Sequence, residues 1–170
     1  MLPWFAPGLA ISVVVSLAAS GAVGRALGVH RAVAWVMLLS LGIIMAATLT
    51  PQSEALGSGA RGSAYCDFSR IGLASWEQLI SANEASGNVL MFIPLGAAIG
   101  LVPGSRRKAV LVTGAIALPF AIEATQLLVP WLDRACESAD VVDNLMGLAL
   151  GLVAGVVAGR IARGADRRPG

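Results

Sequence analysis

Five apolar runs, at about 6–24, 32–49, 85–102, 109–129 and 141–161, dominate this sequence. Each approaches the roughly 20 residues that an α-helix needs to cross the hydrocarbon core of a bilayer. The fold class that follows is all-α: a polytopic bundle of five transmembrane helices. Composition agrees. Only 13% of the residues are charged and 56% are hydrophobic, whereas a soluble domain carries about 25% charged residues. The 170 residues form a single membrane domain, 1–170, with no room for a separate soluble one.

The connections between the runs are short except for one. The N-terminal MLPWFAPG has no Lys or Arg. A signal peptide needs a basic start, so the first run is expected to be a retained helix, with Trp4 and Phe5 as an interfacial anchor. Thr50-Pro51 stops the second run. Residues 50–85 form a long polar loop. Within it, SRIGLASWEQLI suits a short amphipathic helix on the interface, with Trp76 at headgroup level. Ser81 and Glu84 have the spacing of a capping box before the third run. Arg106, Arg107 and Lys108 form a tight basic loop. Pro119 leaves the carbonyl of Ala115 without its helical donor, so a kink is expected one turn before Glu123. His30 reads as a solvated loop residue, and the basic tail RGADRRPG, residues 163–170, as disordered.

The charges set the topology. Nine of the 12 basic residues (Arg25, Arg31, Arg106, Arg107, Lys108, Arg160, Arg163, Arg167, Arg168) follow the first, third and fifth runs. The positive-inside rule places those connections inside, the N-terminus outside and the C-terminus inside. The 50–85 loop is then extracytoplasmic. Eight of the ten acidic residues lie outside or at the outer edge.

Against this background one stretch stands out. Between Ile122 and Gly151 the chain carries Glu123 and Gln126 in apolar sequence, Arg134 in the connection, and Asp140 and Asn144 at the start of the fifth run. A carboxylate within a span is costly and marks a functional site by default. At about 1.5 Å per residue, Glu123 lies roughly 12 Å below Trp131. Asn88 lies one turn into the third run. The topology therefore lets Asn88, Glu123, Gln126, Asp140 and Asn144 converge in the outer leaflet, in one cavity opening outward. Residues 140, 144, 147 and 151 fall on one face of a helix, and Gly147, Gly151, Gly96 and Gly100 suit close helix packing. Plainer roles exist for each residue. Asp140 suits a helix N-terminus, Asn88 and Gln126 suit interhelical hydrogen bonds, and Arg134 suits an exposed loop.

Three motifs in this region resemble the VanZ-like family of small bacterial membrane proteins, named for a protein associated with teicoplanin resistance. They are Asn88-Val-Leu-Met-Phe92-Ile-Pro94-Leu-Gly96, Glu123-Ala-Thr-Gln126, and Arg134 followed by Asp140-Val-Val-Asp-Asn144-Leu-Met-Gly147-Leu-Ala-Leu-Gly151. They place the family core at 88–151. The 50–85 loop and the cysteine pair depart from the pattern. The resemblance implies the bacterial cytoplasmic membrane and a link to glycopeptide resistance, but no settled activity.

Two functions follow as expectations. In the first, an outer-leaflet site binds or modifies a membrane lipid or a lipid-linked cell-wall precursor. Glu123 and Asp140 would be the acid/base candidates, Arg134 would pair with a phosphate, and Asn88, Gln126 and Asn144 would orient the group. In the second, the protein is a non-enzymatic scaffold or small transporter and the polar cluster serves packing. No Ser–His pair and no His/Cys set of metal-ligand spacing is present. No cofactor, metal or nucleic-acid partner is therefore expected. Cys66 and Cys136 both fall in outer loops, where disulfides persist. A bond between them would pin the first outer loop as a lid over the site.

Overall fold

The computed structural model describes residues 4–59, 61–63, 65–81 and 83–165. The chain runs α1 (Phe5–Leu27), α2 (Arg31–Thr48), α3 (Ser53–Gly57), β1 (Cys66–Asp67), α4 (Trp76–Ile80), α5 (Glu84–Leu101), α6 (Ser105–Leu128), a 3₁₀ turn (Pro130–Leu132), β2 (Cys136–Glu137) and α7 (Ser138–Ala165). Helices α1, α2, α5, α6 and α7 are each long and apolar enough to cross a membrane. They match the five runs. Arg167 and Arg168 lie outside the described residues.

Glycine organises the packing. A Cβ on Gly147, Gly151 or Gly155 of α7 would strike the carbonyl oxygen of Val89, Ile93 or Ala97 of α5, respectively. Gly96 and Gly100 of α5 lie equally close to the backbone of α7 at Leu148 and Leu152. Glycine and partner both advance by four residues, so α5 and α7 run parallel in fixed register. Lipid tails are as apolar as leucine, so helices in a bilayer associate by close backbone packing of this kind. Around the pair lies a core of Ile44, Phe92, Leu95, Ile99, Ile122 and Leu148.

Two parallel helices cannot be joined by a short turn, and α6 makes the return. Helix α1 packs on α2 as an antiparallel hairpin, with Gly8 against Ala46 and Gly24 against Ala34. The C-termini of α2 and α6 thus gather with the N-termini of α5 and α7 at one end, called here the loop end. The opposite, basic end carries Arg25, Arg31, Arg106, Arg107, Lys108, Arg160 and Arg163.

Local details depart from expectation at several points. The box that opens α5 is Asn83 with Ser86, in place of Ser81 with Glu84: the Asn83 side chain accepts from Ser86 N at 3.1 Å, and Ser86 Oγ accepts from Asn83 N at 3.2 Å. Ser81 instead closes α4. The amphipathic segment is helical only over Trp76–Ile80, because Ser75 and Gln78 cap the chain there. Trp76 is exposed, as an interfacial residue requires. Arg106, Arg107 and Lys108 lie in the first turn of α6 and not in a loop. Gly104, at φ 81°, makes the reversal, and Lys108 Nζ donates to Gly100 O at 2.7 Å, satisfying an open carbonyl near the end of α5. His30 caps α2, its Nδ1 accepting from Ala32 N at 3.2 Å.

Substitution separates the tight glycines from the loose ones. Gly151→Ala places a methyl on the α5 backbone, while Gly87 has open space around it. Gly151→Ala should therefore destabilise the protein by about 1–3 kcal/mol, and Gly87→Ala should be neutral or mildly stabilising. Thermal unfolding in detergent checks this. Equal melting of the two variants would contradict the packing described.

Candidate functional site

The loop end is a stitched cover. Cys66 and Cys136 form a disulfide, with Cα atoms 4.5 Å apart. They also pair as neighbours in a two-residue parallel bridge, with Asp67 opposite Glu137. Gly62 N donates to Pro130 O at 2.8 Å and Gln52 N to Leu132 O at 3.1 Å. Ser138 Oγ donates to Arg70 O at 2.8 Å. The long loop between α2 and α5 is thereby tied across the connection between α6 and α7. The disulfide closes a loop of 70 residues, a constraint of about 4 kcal/mol in the chain-entropy account.

Beneath the cover lies Glu123. It is 5% exposed, and its Oε2 accepts from Glu137 N at 2.7 Å. It forms part of the wall of a cavity of about 550 Å³, otherwise largely apolar, with Phe68 and Ile71 from the loop, Phe120 and Leu127 from α6 and Val142 from α7. The bonded cysteines also line it.

A second cavity, of about 410 Å³, has the opposite character. Arg70, Glu84, Glu137, Asp140 and Asp143 line it, with Gln78 and Asn83. Asp143 is fully buried. Both its carboxylate oxygens accept from the Arg70 guanidinium, which also donates to Gly72 O at 3.0 Å. Four carboxylates thus face one guanidinium. Burial, reinforced by Glu84 and Asp67, pushes the Glu137 carboxyl pKa above its ordinary value. Glu137 borders both cavities.

The remaining polar residues divide into two groups. Gln126 Nε2 donates to Thr48 O at 3.1 Å. Arg134 Nη2 donates to Ala47 O at 2.7 Å and Thr50 O at 3.2 Å, with Nε also directed at Thr50 O at 3.3 Å. Together they satisfy carbonyls at the C-terminus of α2, which have no partner within the helix. Burial pushes the Arg134 pKa down, as expected for a guanidinium held among carbonyls. Asn88 and Asn144 are buried on α5 and α7. Among the described residues, Asn88 Nδ2, Gln126 Oε1 and Asn144 Oδ1 have no hydrogen-bond partner.

The expected single cavity is therefore resolved into parts. Glu123 and Asp140 line separate, adjoining cavities. Arg134 and Gln126 clamp α2, and Asn88 and Asn144 lie within the helix packing. Arg70, Glu137 and Asp143 had no role in the sequence reading. Asp143 was legible in principle, as a second carboxylate one turn beyond Asp140 in an apolar helix. Arg70 was not, because its partner is 73 residues away. Among the described residues no group of three or more His, Cys, Asp or Glu is placed to hold a metal ion.

The Arg70–Asp143 pair should be costly to break from one side only. Arg70→Ala leaves a fully buried carboxylate unpaired and should cost about 3–5 kcal/mol. Arg70→Met with Asp143→Leu removes both charges and should cost markedly less. Melting temperatures of the two variants in the same detergent check this, and equal losses would show that the pair is not a buried ion pair.

The family model VanZ/LLP1 matches residues 32–159. The match includes the loop end, both cysteines and every residue named in the two cavities. No curated protein and no solved structure matches the chain. Five membrane-length helices and a match over most of the sequence carry the assignment: the chain is a multi-pass membrane protein and belongs to the VanZ/LLP1 family.

Proposed function

We propose that this protein binds a cell-envelope amphiphile, a membrane lipid or a lipid-linked wall precursor, at its loop end. The observation that carries this is the shared wall at Glu137. On one side is an apolar cavity with the buried Glu123 carboxylate in its wall. On the other is an acidic cleft with Asp140. Such a pair suits a molecule with a hydrocarbon chain and a polar head. The cleft has more carboxylates than cations, so it favours a head rich in donors, an amine or sugar hydroxyls. A bare phosphate fits less well, since Arg134 is engaged with the carbonyls of α2.

In this reading Glu123 and Asp140 are the candidates for proton transfer. The loop end faces outward in the bacterial cytoplasmic membrane, in line with the basic residues at the other end. The family's association with glycopeptide resistance fits a protein that acts on wall precursors or shields them. A second reading, packing alone, is favoured by the clamp of Gln126 and Arg134 on α2. It accounts for those two residues but not for a carboxylate in an apolar cavity wall.

Two experiments test the proposal. Cysteines placed singly in the Arg106–Lys108 turn, in a Cys-free background, should resist impermeant labelling of intact cells. Labelling from outside would reverse the orientation. Lipid extracts from cells with and without the protein, compared by mass spectrometry, read the function. Retention of a selected lipid by the purified protein denotes binding, and a new or missing headgroup species denotes catalysis. Glu123→Gln keeps an acceptor for Glu137 N but removes the charge, and should abolish any headgroup conversion while leaving melting unchanged. Wild-type conversion by Glu123→Gln would exclude the acid/base role, and extracts and bound lipid identical to controls would favour packing alone.

A further inference from the structure

A second cavity system lies at the basic end, far from Glu123. Between the α1–α2 hairpin and the first half of α6 runs an apolar groove of about 460 Å³, lined by Leu27, Met37, Leu41, Leu111, Gly114 and Leu118 among others. A Cβ on Gly114 would meet nothing within 4 Å, so the groove is open there. On α6, residues 107, 111, 114 and 118 follow the i, i+4, i+7, i+11 spacing of one helix face. Arg107 therefore stands at the head of the stripe that forms the groove. It also reaches α1: its Nη1 would lie 3.6 Å from a Cβ on Gly28, the residue after Leu27. From Leu111 to Leu118 the groove runs about 10 Å along the helix axis, within the roughly 15 Å of hydrocarbon in one leaflet.

Charge identifies the occupant. Arg107 has no ion-pair partner among the described residues. Arg106 lies beside it, and every described acidic residue belongs to the loop end or, as Glu123, to the last turns of α6 that lead to it. We propose that this groove holds an acyl chain of an anionic phospholipid, with Arg107 at its phosphate. Basic pockets between transmembrane helices recognise anionic headgroups in this way. A second copy of the chain fits less well, since it would bring another uncompensated arginine to the same depth. The site is independent of the proposed loop-end function.

The test is native mass spectrometry of the purified full chain with phosphatidylglycerol or phosphatidylcholine of identical acyl chains. The wild type should retain phosphatidylglycerol about fivefold better. Arg107→Ala should bring the two lipids to parity, and Arg107→Lys should keep most of the preference. Gly114→Leu, which fills open space, should weaken retention of both lipids while the elution volume stays that of the wild type. Equal retention by the wild type, an unchanged preference in Arg107→Ala, no effect of Gly114→Leu, or a dimer that Gly114→Leu dissociates would each overturn the proposal.

Discussion

The close approach of α5 and α7 is the contact on which the rest of the structure depends. Three glycines of α7 lie against three backbone carbonyls of α5, in a constant register. That register makes the helices parallel, and parallel neighbours need a third helix to return the chain. Helix α6 supplies it and ends beside the start of α7. Glu123 is therefore brought to the N-terminal end of α7, where Asp140 and Asp143 enter the bundle. Backbone contact that close requires glycine, because any side chain would push the axes apart.

Polar groups in a bilayer follow from the same constraint. A helix that ends inside the bundle leaves carbonyls with no water to satisfy them. At the C-terminus of α2 these carbonyls receive Gln126 and Arg134. At the end of α5, Lys108 does the same. Much of the polar content of this chain is thus used to close backbone ends. Glu123 is different. It accepts a backbone N–H from the cover yet keeps its place in the wall of an apolar cavity, and the functional proposal rests on that exception.

The sequence carried the spans because hydrophobicity over about 20 residues is a local signal, set by bilayer thickness. It carried the Cys66–Cys136 bond because topology left both cysteines at one end. The glycine face of α7 was legible too, as a fixed spacing along a helix. What was not legible depended on distant pairing. Arg134 read as a phosphate ligand because nothing near it in the chain announces the end of α2. Arg70 had no role in that reading because Asp143 lies 73 residues away on another helix. The split of the polar cluster into two cavities arises from the cover, whose path over Glu123 is fixed by a two-residue bridge too short to leave a pattern. The capping box moved from Ser81 to Asn83 for a local reason: Ser86 can return the hydrogen bond to Asn83, so both partners of that box are present.

The central claim is that the cavity beside Glu123 holds the chain of a selected amphiphile. Photo-crosslinking tests it most directly. A photoreactive amino acid at Val142 lies in the cavity wall, while one at Leu128, 77% exposed, faces the surroundings of the bundle. Adducts formed in living cells and identified by mass spectrometry should show bulk membrane lipids at position 128 and one enriched lipid class at position 142. Bulk composition at both positions, or no lipid adduct at 142, would contradict the account.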